Sequence, residues 1–200
     1  GQLLGTLVEW GAMRLVQRVL PARTGGDLVR AAAAGSQRLA RHGVAWVLDA
    51  ACAPGEVEAY QAADRAGLLA ARVECALRAD PGCWPEQVES FVAARAAAGG
   101  RVRAGTVKFF ADGVVEFATA AMLEPYLVDG SPRGIPMLQP AALAAAVTAL
   151  DAKGFQVHFH AIGTDEADSG VVLTERTDAL IFGPVSIQFW VYGRFEVRDG

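Results

Sequence analysis

The stretch VRAGTVKFFADGVVE, residues 102–116, decides the fold. It opens as a nearly continuous apolar run, carries Lys108 near the end of that run, and closes on Asp112-Gly113. A strand this apolar expects cover on both faces, as in a parallel sheet flanked by helices. Upstream, Pro85 stands where a first helical turn accepts proline, Val88, Phe91 and Val92 form an apolar helical face, and Gly99-Gly100 ends the helix. Downstream, Pro140 opens a helix with Leu143, Val147 and Leu150 facing inward, Gly154 closes it, and FQVHFHAIG, residues 155–163, supplies a second strand.

The same cycle occurs twice more towards the N-terminus. Thr6 and Glu9 form a capping-box pattern for a helix running to Leu20 before Pro21. After the turn-like Thr24-Gly25-Gly26-Asp27, a helical period through Leu28, Ala32, Gly35 and Leu39 is closed by His42-Gly43. Val44 to Asp49 then reads as a buried strand, Pro54-Gly55 opens a helix that Gly67 ends, and Leu68 to Leu77 reads as a strand. Helix, glycine and apolar strand in four rounds predict a parallel sheet with helices outside it. The long, Pro- and Gly-broken interval from Gly113 to Gln139 has the character of an insertion that shapes a pocket.

From Ser169 the pattern changes to antiparallel strands: Val171 to Leu173, Asp178 to Phe182 and an alternating run from Val185, with Gly193-Arg194 as a hairpin turn. Too few residues separate His160 from Val171 for a crossover helix.

Composition narrows the function. The 200 residues are 52% hydrophobic, enough for a core, and the formal charge is -4. With scattered arginines and no basic stripe, a nucleic-acid partner is not expected, and no apolar run is long enough to predict a membrane span. Cys52, Cys75 and Cys83 are odd in number and lack CxxC spacing, which predicts a reducing, cytoplasmic setting.

Few residues offer chemistry. Lysine occurs only at 108 and 153. Lys153 beside Gly154 suits a helix C-terminus. Lys108, buried in VKFF, has two readings: a core lysine paired with Asp112 or Glu116, or a functional amine whose pKa burial depresses. His158 and His160 share one strand face, and imidazole is the commonest zinc ligand. One ligand and one hydrogen-bonding neighbour is the expected division. His42 is expected as a helix cap, and Asp49 is expected either to face the pocket or to receive the next helix N-terminus.

The motifs VKFFADGVVE, TAAMLEPY and FQVHFHAIG, preceded by GVAWVLDA and LVEWG, together resemble the metal-dependent amidohydrolase superfamily, in particular its YtcJ-like branch with the N-substituted formamide deformylases. The resemblance covers Gly5 to Gly163 and implies an α/β fold: a partial TIM (β/α)8 barrel, about strands two to five, over residues 1–163. Residues 169–200 would be the C-terminal strands of a flanking small β-sandwich. It further implies a carbamylated Lys108 and His160 as metal ligands and catalytic groups, with one or two divalent ions, zinc expected.

The implied reaction is hydrolysis of non-peptide carbon–nitrogen bonds in small amide-like substrates by a metal-bridged hydroxide. A homo-oligomer is left open. The family's first-strand histidine pair, sixth-strand histidine and eighth-strand aspartate have no counterpart here, and its HAIGD reads HAIGT. Missing segments before residue 1 and between 163 and 169 are therefore expected, along with an inactive chain as it stands. Two alternatives are a non-catalytic barrel remnant and an aldolase-like enzyme in which Lys108 forms a Schiff base.

Overall fold

A computed structural model describes residues 9–122, 124–127, 133–137, 140–162, 171–182 and 185–196. Two helices, α1 (Glu9–Gln17) and α2 (Gly25–Arg41), precede β1 (Trp46–Cys52), α3 (Pro54–Arg65), β2 (Arg72–Arg78), α4 (Val88–Ala97), β3 (Val102–Phe110), α5 (Pro140–Asp151) and β4 (Gln156–His160). The four strands pair in parallel in the order β1-β2-β3-β4, with a helix between each successive pair. This is the curled α/β arrangement of a partial barrel. A separate antiparallel pair, β5 (Val171–Phe182) and β6 (Val185–Glu196), follows.

Local chemistry accounts for the helix ends. Thr24 and Asp27 form a reciprocal capping box on α2, so the stretch expected as a turn is the first turn of the helix. The box expected at Thr6 lies outside the described residues. His42 is the C-cap of α2 and Gly43 follows at φ 80°. Pro85 does not open α4: it lies in a turn after a cis Trp84–Pro85 bond, and the helix starts at Val88. In the tail, Gly193 and Arg194 are not a turn but lie inside β6, opposite Thr174 and Leu173. The connection between β5 and β6 at residues 183–184 lies outside the described residues.

One apolar core sits between sheet and helices. Val57 and Ala63 of α3, Phe91 of α4 and Ala146 and Leu150 of α5 meet Val73, Cys75 and Leu77 of β2 and Val107 and Phe109 of β3. Phe109 is stacked with Phe159 and meets Trp84 edge-on, both at 5.8 Å between ring centres. β1 is not the buried strand expected, because as the outer strand of the sheet it leaves Trp46 and Leu48 45% and 40% exposed.

Strand alternation then assigns the opposite, inner face to Glu74, Ala76, Arg78, Thr106, Lys108, Phe110, His158 and His160. The alternation is interrupted once in β3. Val73 and Glu74 align with Val102 and Arg103, whereas Ala76, Leu77 and Arg78 align with Thr106, Val107 and Lys108, so Cys75 spans both Ala104 and Gly105. That two-for-one register is a β-bulge.

Among the described residues no helix is long and apolar enough to cross a membrane.

Candidate active site on the inner face

Lys108 and His158 are register partners on β3 and β4, one step before the pair Phe110 and His160. Lys108 is 6% exposed. Its Nζ lies 3.5 Å from His158 Nε2 and 5.1 Å from the centre of the Phe110 ring. The sequence offered Asp112 or Glu116 as the partner of a core lysine, and the structure sets an imidazole beside it. Burial holds the Lys108 ammonium below the ordinary lysine range, because removing water penalises the charged form.

His160 is held differently. Its Nε2 is 2.8 Å from the carbonyl oxygen of Gly113. A carbonyl only accepts, so Nε2 carries the proton and Nδ1 keeps the lone pair. Metal-binding histidines are oriented by such a second hydrogen bond. The His160 ring also lies 5.4 Å from that of Phe110.

The loop after β3 is tied to the strand ends. Asp112, 3% exposed, accepts the Ala121 N–H at 2.9 Å through Oδ2 and the Ile162 N–H at 3.0 Å through Oδ1. Ala111 N–H donates to the His160 carbonyl at 2.8 Å. Met122 donates to Arg133, Ile135 to Thr119 and Met137 to Ala111 through backbone amides, which folds the insertion back on itself. Gly134 makes the closest approach: at φ 101° a Cβ there would fall 1.9 Å from the Ala120 carbonyl oxygen. The folded loop leaves the apolar side chains of Val115, Phe117 and Ile135 exposed.

Other candidates lie elsewhere. Asp49 faces the helices, where it accepts the Tyr60 hydroxyl at 2.9 Å beside a hollow of about 220 Å³ lined by Leu28, Leu39 and Val47. Lys153, expected at a helix C-terminus, lies two residues past the end of α5 and forms an exposed ion pair with Glu89 at 3.3 Å. Sequence inspection passed over Glu74, whose Oε1 accepts from Gly105 N–H and the Thr106 hydroxyl. It also passed over the Gly113 carbonyl, a backbone group with no side-chain signal.

Among the described residues no three His, Cys, Asp or Glu side chains gather as a metal shell. The donors present fit part of one. His160 offers an imidazole nitrogen, and Lys108 an amine that becomes an oxygen donor only when carbamylated.

The model of the amidohydrolase family matches residues 1–182. An uncharacterized metal-dependent hydrolase from Pyrococcus horikoshii OT3 superposes with a TM-score of 0.61 and 25% identity, covering 76% of this chain and 30% of that one. A second, from Pyrococcus furiosus, gives a TM-score of 0.58 and 21% identity over 76% of this chain and 31% of its own, a likeness of fold. A stretch of 47 residues, 24% of the chain, is 64% identical to 30% of the epoxide hydrolase EphG of Mycobacterium tuberculosis (strain ATCC 25618 / H37Rv). The chain therefore spans about a third of the length of each relative it matches. With a family match over residues 1–182, the chain belongs to the amidohydrolase family.

Proposed function

We propose that the complete enzyme is a metal-dependent hydrolase of non-peptide carbon–nitrogen bonds, acting on small amide-like substrates, with Lys108 and His160 as this chain's share of the metal centre. The observation that carries the reading is the Nε2–H of His160 fixed on the Gly113 carbonyl, because it leaves Nδ1 as the nitrogen with a free lone pair. Zinc suits an imidazole nitrogen and a carbamate oxygen. When bound, such a cation supplies Lewis acidity and a water deprotonated near neutral pH.

The chain's own groups do the rest. Burial favours the neutral Lys108 amine, which adds carbon dioxide to give a carbamate and release one proton. His158 lies against that amine and limits where it points. Val115, Phe117 and Ile135 of the loop after β3 are exposed apolar side chains, and an approach lined by them would suit an uncharged acyl or formyl group better than a zwitterion. Three free thiols fit a reducing compartment, and we place the enzyme in the cytoplasm.

The test is metal analysis and turnover of the complete protein on N-formyl, N-acyl and epoxide substrates, with and without chelator and bicarbonate. Expected is chelator-sensitive hydrolysis of the N-formyl or N-acyl compounds, lost together with metal in His160→Ala. Epoxide opening that survives chelation, with amides untouched, would overturn the bond assignment. Borohydride trapping of a carbonyl compound on Lys108 would replace it with imine chemistry.

A further inference from the structure

The bulge in β3 decides which side of the sheet receives Lys108. Val102 is 1% exposed within the core, and its β2 partner Val73 is equally buried there. Strict alternation from Val102 would send Thr106 and Lys108 into that same layer and turn Val107 and Phe109 towards the site. The single extra residue reverses this outcome: Val107 and Phe109 reach the core at 0% and 1% exposure, and Lys108 reaches the inner face.

A bulge removes a backbone amide from the ladder, and that amide needs a partner. Here the partner is a side chain. Gly105 N–H donates to Glu74 Oε1 at 2.9 Å, and the Thr106 hydroxyl donates to the same oxygen at 3.2 Å. Glu74 stands on β2 opposite Arg103, immediately before the two-for-one step, so its carboxylate bridges the irregular segment. An ionised oxygen accepting two donors is a stronger tie than the neutral ladder bond it replaces.

We propose that Glu74 is a positioning residue, whose carboxylate fixes the Ala104–Gly105 bulge and thereby sets the register that presents Lys108 to the active site. This rests on Lys108 as the site lysine. Glu74 itself acts through β3 and needs no contact with substrate.

The experiment is amine labelling of the folded, complete protein, first freed of metal and carbon dioxide so that Lys108 carries its free amine, at one pH, with the rate at each lysine read by peptide mass mapping. Lys153, exposed and ion-paired on the far side of the core, is the internal reference. In Glu74→Ala the Lys108 rate should fall by about tenfold against Lys153, as its amine moves into a close-packed layer. Glu74→Gln keeps an acceptor oxygen and should restore most of the wild-type rate, which a loss of general stability would not predict. Gly105→Ala should be silent, since a Cβ there meets Glu74 Oε1 at an ordinary 3.5 Å.

Unchanged or faster labelling of Lys108 in a natively folded Glu74→Ala overturns the proposal, as does a Glu74→Gln variant no better than Glu74→Ala. Should Glu74→Ala fail to fold, Thr106→Val removes one arm of the tie: slower Lys108 labelling supports the assignment and an unchanged rate sinks it. Labelling reports where the amine sits and not turnover. A complete protein that binds no metal would defeat the proposed function and leave this test standing.

Discussion

Asp49 and Lys108 are both charged residues in apolar parallel strands, and they finish on opposite faces of one sheet. Asp49 aligns with Cys75, enters the helical layer and is satisfied by the Tyr60 hydroxyl. Lys108 aligns with Arg78 and His158 on the inner face and packs over Phe110. Both strands carry a register shift, in β1 between Asp49 and Cys52 and in β3 between the partners of Glu74 and Ala76. The difference is where the shift falls. In β1 it follows the charged residue and leaves its face unchanged; in β3 it precedes the lysine and reverses it. A charge near a strand end is therefore a site candidate only once the strand's parity is known.

Breaking the contrast most severely means removing the site side chains. Lys108→Ala or His160→Ala in the complete enzyme should abolish metal-dependent turnover with loss of metal, whereas Asp49→Ala should leave the metal content intact. His158→Ala, which on the proposed function removes a neighbour and leaves the ligand, should weaken metal binding by about 10–100-fold. Equal metal loss in His158→Ala and His160→Ala would erase the distinction drawn between them.

Next in size is the core side of β3. Phe109→Ala should cost about 3–5 kcal/mol in denaturant unfolding, because a fully buried ring leaves a cavity that Trp84 and Phe159 cannot fill. Phe110→Ala, one residue on and on the inner face, should cost less and change the environment of Lys108 and His160. Similar losses at both positions would contradict the assigned faces.

Smaller still is Tyr60→Phe, which deprives Asp49 of its hydroxyl donor and should cost roughly 1–3 kcal/mol while leaving activity alone. Burial first, then the Asp49 carboxylate, holds the Tyr60 phenol protonated far above its usual range, so the hydroxyl stays a donor at any working pH.

The smallest effect is that of pH on stability through Lys108. Burial sets its folded pKa below the ordinary lysine value, so between the two the unfolded chain binds more protons. Stability should rise with pH across that window and be lowest below it. Lys108→Met should flatten the dependence in denaturant titrations at several pH values; an unchanged slope would show that the amine is wetter than its burial indicates.

The architecture was legible because its punctuation is local. Gly67, Gly100 and Gly154 adopt positive φ at the helix ends where the sequence placed stops, and Val102 to Phe110 is the strand in both accounts. Lys108 was legible as a charged residue inside an apolar strand and His160 as the last residue of another, but the register sets Lys108 beside His158 and Phe110 beside His160. What escaped detection is non-local or carried by backbone. The exposure of β1 depends on strand order, the Lys108–His158 contact on register, and the bulge on one carboxylate across the sheet. Gly193-Arg194 are residues that turns favour, and pairing with Thr174 and Leu173 overrides that preference, while Pro85, placed at a helix start, stands in the turn before Val88.

The ties that close the loop after β3 have a consequence for diversification. Met122 is bonded to Arg133 and Thr119 to Ile135, so the segment between them begins and ends at points the fold already holds together. Changing its length adds little closure entropy, since that term grows only with the logarithm of loop size. On the proposed function, insertions between Met122 and Arg133 should therefore leave the unfolding midpoint nearly unchanged, a drop of several degrees counting against it, while turnover on N-formyl and N-acyl compounds reports any shift in substrate range.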